Sequence, residues 1–158
     1  MEKIYLLDLN YTLVGNQQET KNLKPFSKRL EGEEYRQDLL EAIKSGYVIM
    51  ITARPDYLQK DSLLNIANKT GWQPQEAYFN DENSPPPIFK EKALNKWVFP
   101  KHGENKVNFE YVAIESNPRT RAMYARYGIT AMPYEKFIKE FRNGNERQFD
   151  TYDPMELF

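Results

Sequence analysis

The chain has 158 residues, a formal net charge of −1, no cysteine and a single histidine, His102. That length suits one domain, residues 1–158, and the missing cysteines exclude disulfides, thiolate catalysis and Cys-ligated zinc. A near-neutral charge does not describe a polycation seeking nucleic acid, no apolar run approaches the ~20 residues that cross a bilayer, and Met1 opens no charged-then-apolar leader, so the expectation is a soluble cytoplasmic protein with no membrane partner.

Lys3–Leu9 reads as a near-continuous apolar strand, of the kind buried on both faces of a parallel sheet. Val14–Gly32 is polar and shows no clear period. Glu33–Ser45 carries Tyr35, Leu39, Leu40 and Ile43 at helical spacing and stops at Gly46, ahead of a strand over Tyr47–Thr52. Asp56–Thr70 sets Leu63, Ile66 and Ala67 on one helical face, stops at Gly71 and leads to a strand at Glu76–Phe79. Asp81–Pro87 is a stiff, extended proline stretch before a helix at Ile88–Val98, and Pro100–Asn108 reads as an exposed loop with His102 at its surface. Tyr111–Glu115 is a second apolar strand. Asn117-Pro118 supplies an N-cap and a first-turn proline for a helix to Tyr127, which stops at Gly128 before a strand at Ile129–Met132. An amphipathic helix near Tyr134–Arg142 packs outside. Strands alternating with helices predict an α/β domain, with a mostly parallel five-stranded sheet flanked by helices.

In open parallel sheets, ligands bind outside the carboxyl ends of the strands. The first strand ends in Asp8-Leu9-Asn10-Tyr11-Thr12, the second in Thr52-Ala53-Arg54, and the fourth in Glu115-Ser116-Asn117. Lys90 opens the helix before the fourth strand. An acid, a hydroxyl, a lysine and a second acid are thus aimed at one crevice. Each alone has an ordinary explanation, as a turn former, a β-former or a solvated charge; together and in order they do not.

DLNYTL at Asp8–Leu13, ITARP at Ile51–Pro55, FKEKAL at Phe89–Leu94 and AIESNPR at Ala113–Arg119 resemble, in order, the four motifs of the haloacid dehalogenase (HAD) superfamily of phosphotransferases, over roughly Ile4–Met132. The resemblance implies a single Rossmannoid domain with no large cap. It implies Asp8 as a nucleophile that forms an aspartyl-phosphate, splitting one hard hydrolysis into two displacements. Carboxylate and phosphate repel, so a hard cation must lie between them; the resemblance implies Mg²⁺, held by Asp8, the Asn10 carbonyl and Glu115. Thr52 then donates to a phosphoryl oxygen, and Lys90 neutralises charge and restrains the nucleophile.

Within the superfamily the chain is similar to the 3′-phosphatase domain of phage polynucleotide kinase/phosphatase. Arg54 follows Thr52 by two residues as in that group, and Ile88-Phe89-Lys90-Glu91 matches its helix start. This implies a nucleotide or a nucleic-acid 3′-phosphate end as substrate, with Arg54 among its contacts. Tyr11, inside the catalytic loop, is a further candidate to stack on a base. Arg119, Arg121 and Arg126 read as basic surface or as an ordinary solvated helix face.

Asn10 stands where the family has a second aspartate that protonates the leaving oxygen and then activates water. An amide hydrogen-bonds but does not trade a proton near neutral pH, and such help is typically worth ~10²–10⁴-fold in rate. Two readings follow: an Mg²⁺-dependent phosphohydrolase, or a catalytically silenced module that holds a nucleotide or a protein partner. A receiver-type or flavodoxin-like domain shares the architecture, but the Asp8, Asn10, Thr12, Thr52 and Glu115 set argues against it.

Overall fold

The computed structural model describes residues 2–104 and 109–151. Five strands, β1 (Glu2–Leu7), β2 (Tyr47–Pro55), β3 (Glu76–Asn80), β4 (Phe109–Ile114) and β5 (Thr130–Met132), form one sheet in the order β3-β2-β1-β4-β5. All four pairings are parallel, with Leu7 opposite both Met50 and Ile114. The expected five-stranded α/β architecture is therefore the observed one.

Apolar residues alternate between the two faces because strand side chains have a period of two. Leu7, Val48, Met50, Val112 and Ile114 enter one buried layer, and Leu6, Ile49, Ile51, Tyr111 and Ala113 enter the other. The first layer is covered by α3 (Gln37–Ile43), α4 (Gln59–Thr70) and α8 (Tyr134–Thr151), through Leu39, Ile43, Ile66, Phe137 and Ile138. The second is covered by α5 (Pro86–Ala93), continued through Leu94–Val98 into α6 (Phe99–His102), and by α7 (Pro118–Arg126). Helices on both faces explain why these strands read as continuous apolar runs.

Several sequence expectations need correcting. The polar Val14–Gly32 segment contains two short helices, α1 (Gln17–Thr20) and α2 (Phe26–Gly32). Glu33 does not open a helix. Residues 34–36 are extended: Gly15 N–H donates to Glu34 O, Arg36 N–H donates to Leu13 O, and Val14 bridges Tyr35 antiparallel. The helix predicted over Ile88–Val98 runs on through His102, so that residue ends a helix and is only partly exposed; the rest of the predicted loop, from Asn105, lies outside the described residues. Gly71 and Gly128 end helices with positive φ, as expected. Gly46 acts differently: a Cβ there would meet the Tyr5 ring at 2.7 Å, so close approach requires its glycine. Among the described residues no inserted cap domain interrupts the strands, and no helix is long and apolar enough to cross a membrane.

Candidate functional site

The chain builds outward from β1 to β2 and β3, then returns across the sheet to β4 and β5. The strand order therefore reverses between β1 and β4, and the crevice of an open α/β sheet opens at that point. Asp8 and Glu115 are the first residues past those two strands. Each still anchors to the sheet: Asp8 N–H donates to Ile114 O at 3.1 Å, and Glu115 N–H to Met132 O at 2.9 Å. Leu9–Leu13 then makes one wide turn, closed by Val14 N–H to Leu9 O at 3.0 Å. Leu9 and Leu13 are fully buried pegs, and the turn pushes Tyr11 outward at φ 63°.

Lys90 joins the two acids. From α5 its ammonium donates to Asp8 Oδ1 at 2.8 Å and to Glu115 Oε1 at 2.6 Å, with only 1% of the residue exposed. Asp8 Oδ2 accepts from Thr12 Oγ1 and Ser116 Oγ, both at 2.8 Å, and from Ser116 N–H at 3.3 Å. Glu115 Oε2 accepts from Asn117 N–H at 3.0 Å, and Asn117 Oδ1 in turn caps α7 through Arg119 N–H and Thr120 N–H. The sequence alone gives Thr12 and Ser116 no role of their own, although both lie inside the quoted motifs.

The charges in this triad are unequal. Burial pushes the Asp8 carboxyl up, but the Lys90 ammonium and hydrogen bonds from Lys90, Ser116 and Thr12 outweigh it and hold the group below its ordinary value. Burial raises Glu115 to about 7; Lys90 opposes the rise and the Asp8 charge adds to it. Lys90 is itself lowered by burial and raised more strongly by both carboxylates, so it remains an ammonium. The first proton taken up by the triad goes to Glu115.

A second buried cluster borders the first. Arg54, 2% exposed, pairs with Glu33 through two bonds: Nη1 to Oε1 at 3.3 Å and Nη2 to Oε2 at 2.6 Å. The same Nη2 donates to Asn10 Oδ1 at 2.8 Å, and Nη1 donates to Ser62 Oγ at 3.0 Å. Arg29 Nε adds a second cation 3.7 Å from Glu33 Oε2. Arg54 is thus a buried support for Asn10 in this structure. Since a guanidinium only donates, it fixes Oδ1 of the amide inward and leaves Nδ2 for the crevice. Sequence reasoning misses Glu33 because the helical spacing makes it the start of a helix. Thr52 is fully buried; its hydroxyl accepts from Arg54 N–H at 3.1 Å and keeps its own proton to donate.

Of the three α7-side arginines, Arg121 is committed to the site's backbone, donating to Glu115 O at 3.0 Å and Ser116 O at 2.8 Å. Arg126 pairs with Glu91, and Arg119 is exposed. His102 lies at the opposite end of the sheet, where Glu76 accepts from Tyr47, Tyr78 and the imidazole. Burial raises that Glu76 carboxyl, and those three partners together pull it down to about 2.

Two carboxylates and the Asn10 carbonyl are hard oxygen donors, the kind that suits Mg²⁺. Among the described residues, the Asn10 backbone carbonyl accepts only a long 3.4 Å bond from Ser116 Oγ. The donor set fits such a cation in kind. No protein-family model matches the chain, and no curated protein matches it. Among solved structures a mutant of Rae1 (YacP) from Bacillus subtilis is similar, at 12% identity and a TM-score of 0.47, with 99% of this chain and 88% of that chain covered.

Proposed function

We infer that this chain is a phosphohydrolase of the haloacid dehalogenase type, acting through Asp8 on a nucleotide or a nucleic-acid 3′-phosphate end. The observation that supports the reading is the convergence, at the β1/β4 reversal, of Asp8, Thr12, Lys90, Glu115 and Ser116 into one hydrogen-bonded cluster. Among the described residues, Asp8 Oδ2 carries three donors, while Oδ1 has Lys90 alone and keeps a lone pair for attack. In the first step that oxygen bonds to phosphorus, the ester P–O bond breaks, and the departing oxygen takes a proton from water. Water then attacks phosphorus, the bond to Asp8 breaks, and inorganic phosphate leaves with the carboxylate regenerated. Thr52 donates to a phosphoryl oxygen, and Lys90 keeps Asp8 ionised and aligned. Asp8, Glu115 and the Asn10 carbonyl would hold Mg²⁺, which would supply charge neutralisation. Asn10 Nδ2 donates to the leaving or phosphoryl oxygen but supplies no proton.

The test is phosphate release with Mg²⁺ from nucleoside monophosphates and 3′-phosphorylated oligonucleotides, measured against Asp8→Asn. No release above that control removes the enzyme reading. A second reading, a silenced module that binds without turnover, is favoured by one observation: the residue at the acid–base position is an amide held in place by Arg54. Calorimetric binding of nucleotides recovered unmodified distinguishes it.

A further inference from the structure

The Glu33 carboxylate lies between two guanidiniums and hydrogen-bonds only one of them. Its Oε2 accepts from Arg54 Nη2 at 2.6 Å, and its Oε1 accepts from Arg54 Nη1 at 3.3 Å and from the Tyr35 hydroxyl at 3.1 Å. Arg29, on α2, comes no nearer than 3.7 Å, Nε to Oε2, which is beyond hydrogen-bond distance. Its five N–H donors therefore make no hydrogen bond among the described residues. Yet its side chain is only 20% exposed and packs over Phe26, with the guanidinium carbon 5.6 Å from the ring centroid.

The three nitrogens differ in access. Nε is sealed from solvent, whereas Nη1 and Nη2, equally without a partner, still reach it. Those two are the atoms a ligand can touch. They belong to the neighbourhood of the Asp8 loop: Tyr11, 43% exposed, is close enough to act on the Arg29 charge. The Arg54 guanidinium, which holds Asn10 Oδ1, lies 5.3 Å from the same Phe26 ring. Burial, and then repulsion from Arg54, lower the Arg29 pKa, and Glu33 and Tyr11 offset only part of that. An arginine stays protonated even so, and a cation withdrawn from water without a hydrogen-bonded partner is unfavourable. An arriving anion relieves both the repulsion and the unmet donors.

Resting on the phosphohydrolase reading for the role of Asp8, we propose that Arg29 binds a second phosphate of the substrate. When a 3′-phosphate lies at Asp8, the phosphate on the 5′ oxygen of the same nucleoside pairs with Arg29 Nη1 and Nη2. The fork of a guanidinium matches two phosphate oxygens. Glu33 and Arg54 connect Arg29 to Asn10, so this site is a step removed from the reacting phosphorus and is not part of its cradle. The 5′-phosphate belongs either to a nucleoside 3′,5′-bisphosphate or to the last diester of a 3′-phosphorylated polynucleotide.

The Asp8→Asn protein, which cannot form the aspartyl-phosphate, permits binding to be read without turnover. Calorimetry compares a nucleoside 3′-monophosphate, its 3′,5′-bisphosphate and a 3′-phosphorylated dinucleotide. The bisphosphate should bind about ten-fold or more tighter than the monophosphate, the scale of one charge-assisted hydrogen bond. A dinucleotide that shares this gain identifies the polynucleotide end as the source, and a gain for the bisphosphate alone identifies the free nucleotide. Adding Arg29→Gln should bring the ligands within about two-fold of one another, while Arg29→Lys, which keeps the charge and loses the fork, should retain part of the gain. Equal binding of the monophosphate and the bisphosphate overturns the proposal. A preference that survives Arg29→Gln, even with all ligands weakened alike, also overturns it. Phosphate release by the protein with Asp8 intact separates the two readings. Release from the 3′-monophosphate with no preference for a second phosphate refutes this site and keeps the enzyme. An Arg29-dependent preference with no release from any ester refutes the enzyme and keeps the site.

Discussion

Asn10→Asp replaces an amide by a nearly isosteric carboxylate 2.8 Å from Arg54 Nη2. The surrounding cluster now holds two guanidiniums, Arg54 and Arg29, against one carboxylate, Glu33, so it carries a surplus positive charge that an aspartate would balance. At a charge separation near 4 Å and an effective dielectric of about 20, attraction to Arg54 is ~4 kcal/mol. Glu33, sharing the same Nη2, cancels part of this, and Arg29 offsets part of that repulsion. The net effect holds the introduced carboxyl below the ordinary aspartate value, hence ionised at neutral pH. An ionised carboxylate at this position serves as a base toward the water that opens the aspartyl-phosphate, not as an acid toward the leaving oxygen. General base help is worth ~10²–10⁴-fold where that step limits. Turnover of alkyl and aryl phosphates by the Asn10→Asp variant should therefore rise together, by about ten-fold or more, because both esters pass through the same intermediate. Steady-state phosphate release for matched alkyl and aryl esters, from about pH 5 to 8, is the assay. A gain confined to alkyl esters would show the new carboxyl protonated and acting as an acid. No gain at all, with nucleotide binding intact, would refute the placement of position 10 at the reacting phosphorus.

Glu33→Gln leaves the buried Arg54 without its carboxylate and should lower stability by ~3–5 kcal/mol in urea denaturation. Adding Asn10→Asp to that variant should recover part of the loss, and strict additivity of the two changes would mean Arg54 does not couple them. Glu115 predicts a pH dependence in the absence of divalent cations. Its folded pKa of about 7 lies above the ordinary 4.5, so the fold favours the protonated form. Its stabilising contribution is full below pH 4.5 and is lost as pH rises toward 7. Relative to Glu115→Gln, the wild type should lose ~3 kcal/mol across that window, and a flat difference would contradict the burial argument. Asp8, whose pKa is lowered, acts oppositely and only in acid: its contribution is present above its ordinary 3.8 and falls away as pH drops below it.

The strands and their ends are legible because burial on both faces writes itself as runs such as Tyr5-Leu6-Leu7 and Val112-Ala113-Ile114, and because the residue after such a run must face the crevice. That is why Asp8, Thr52 and Glu115 emerge from sequence. Lys90 emerges only through a motif: nothing in its local pattern says that a lysine on an amphipathic helix is 1% exposed, since the two acids that make this tolerable lie 82 and 25 residues away. Glu33 is hidden for the same reason. Its helical spacing to Leu39 and Leu40 is real, but pairing with Arg54 and the bridge of Tyr35 to Val14 override propensity. These two long-range facts bear on the residue that most limits the chemistry. A buried guanidinium at Arg54 demands one close carboxylate, and Glu33 supplies it with 0% of its surface exposed. Position 10 is thereby spared from being the sole partner of that guanidinium, although Arg29 leaves the cluster one positive charge in excess. The amide at Asn10 is held from beneath through Oδ1 by Arg54, which leaves Nδ2 for what lies in the crevice, a phosphoryl group or a ligand that accepts a hydrogen bond.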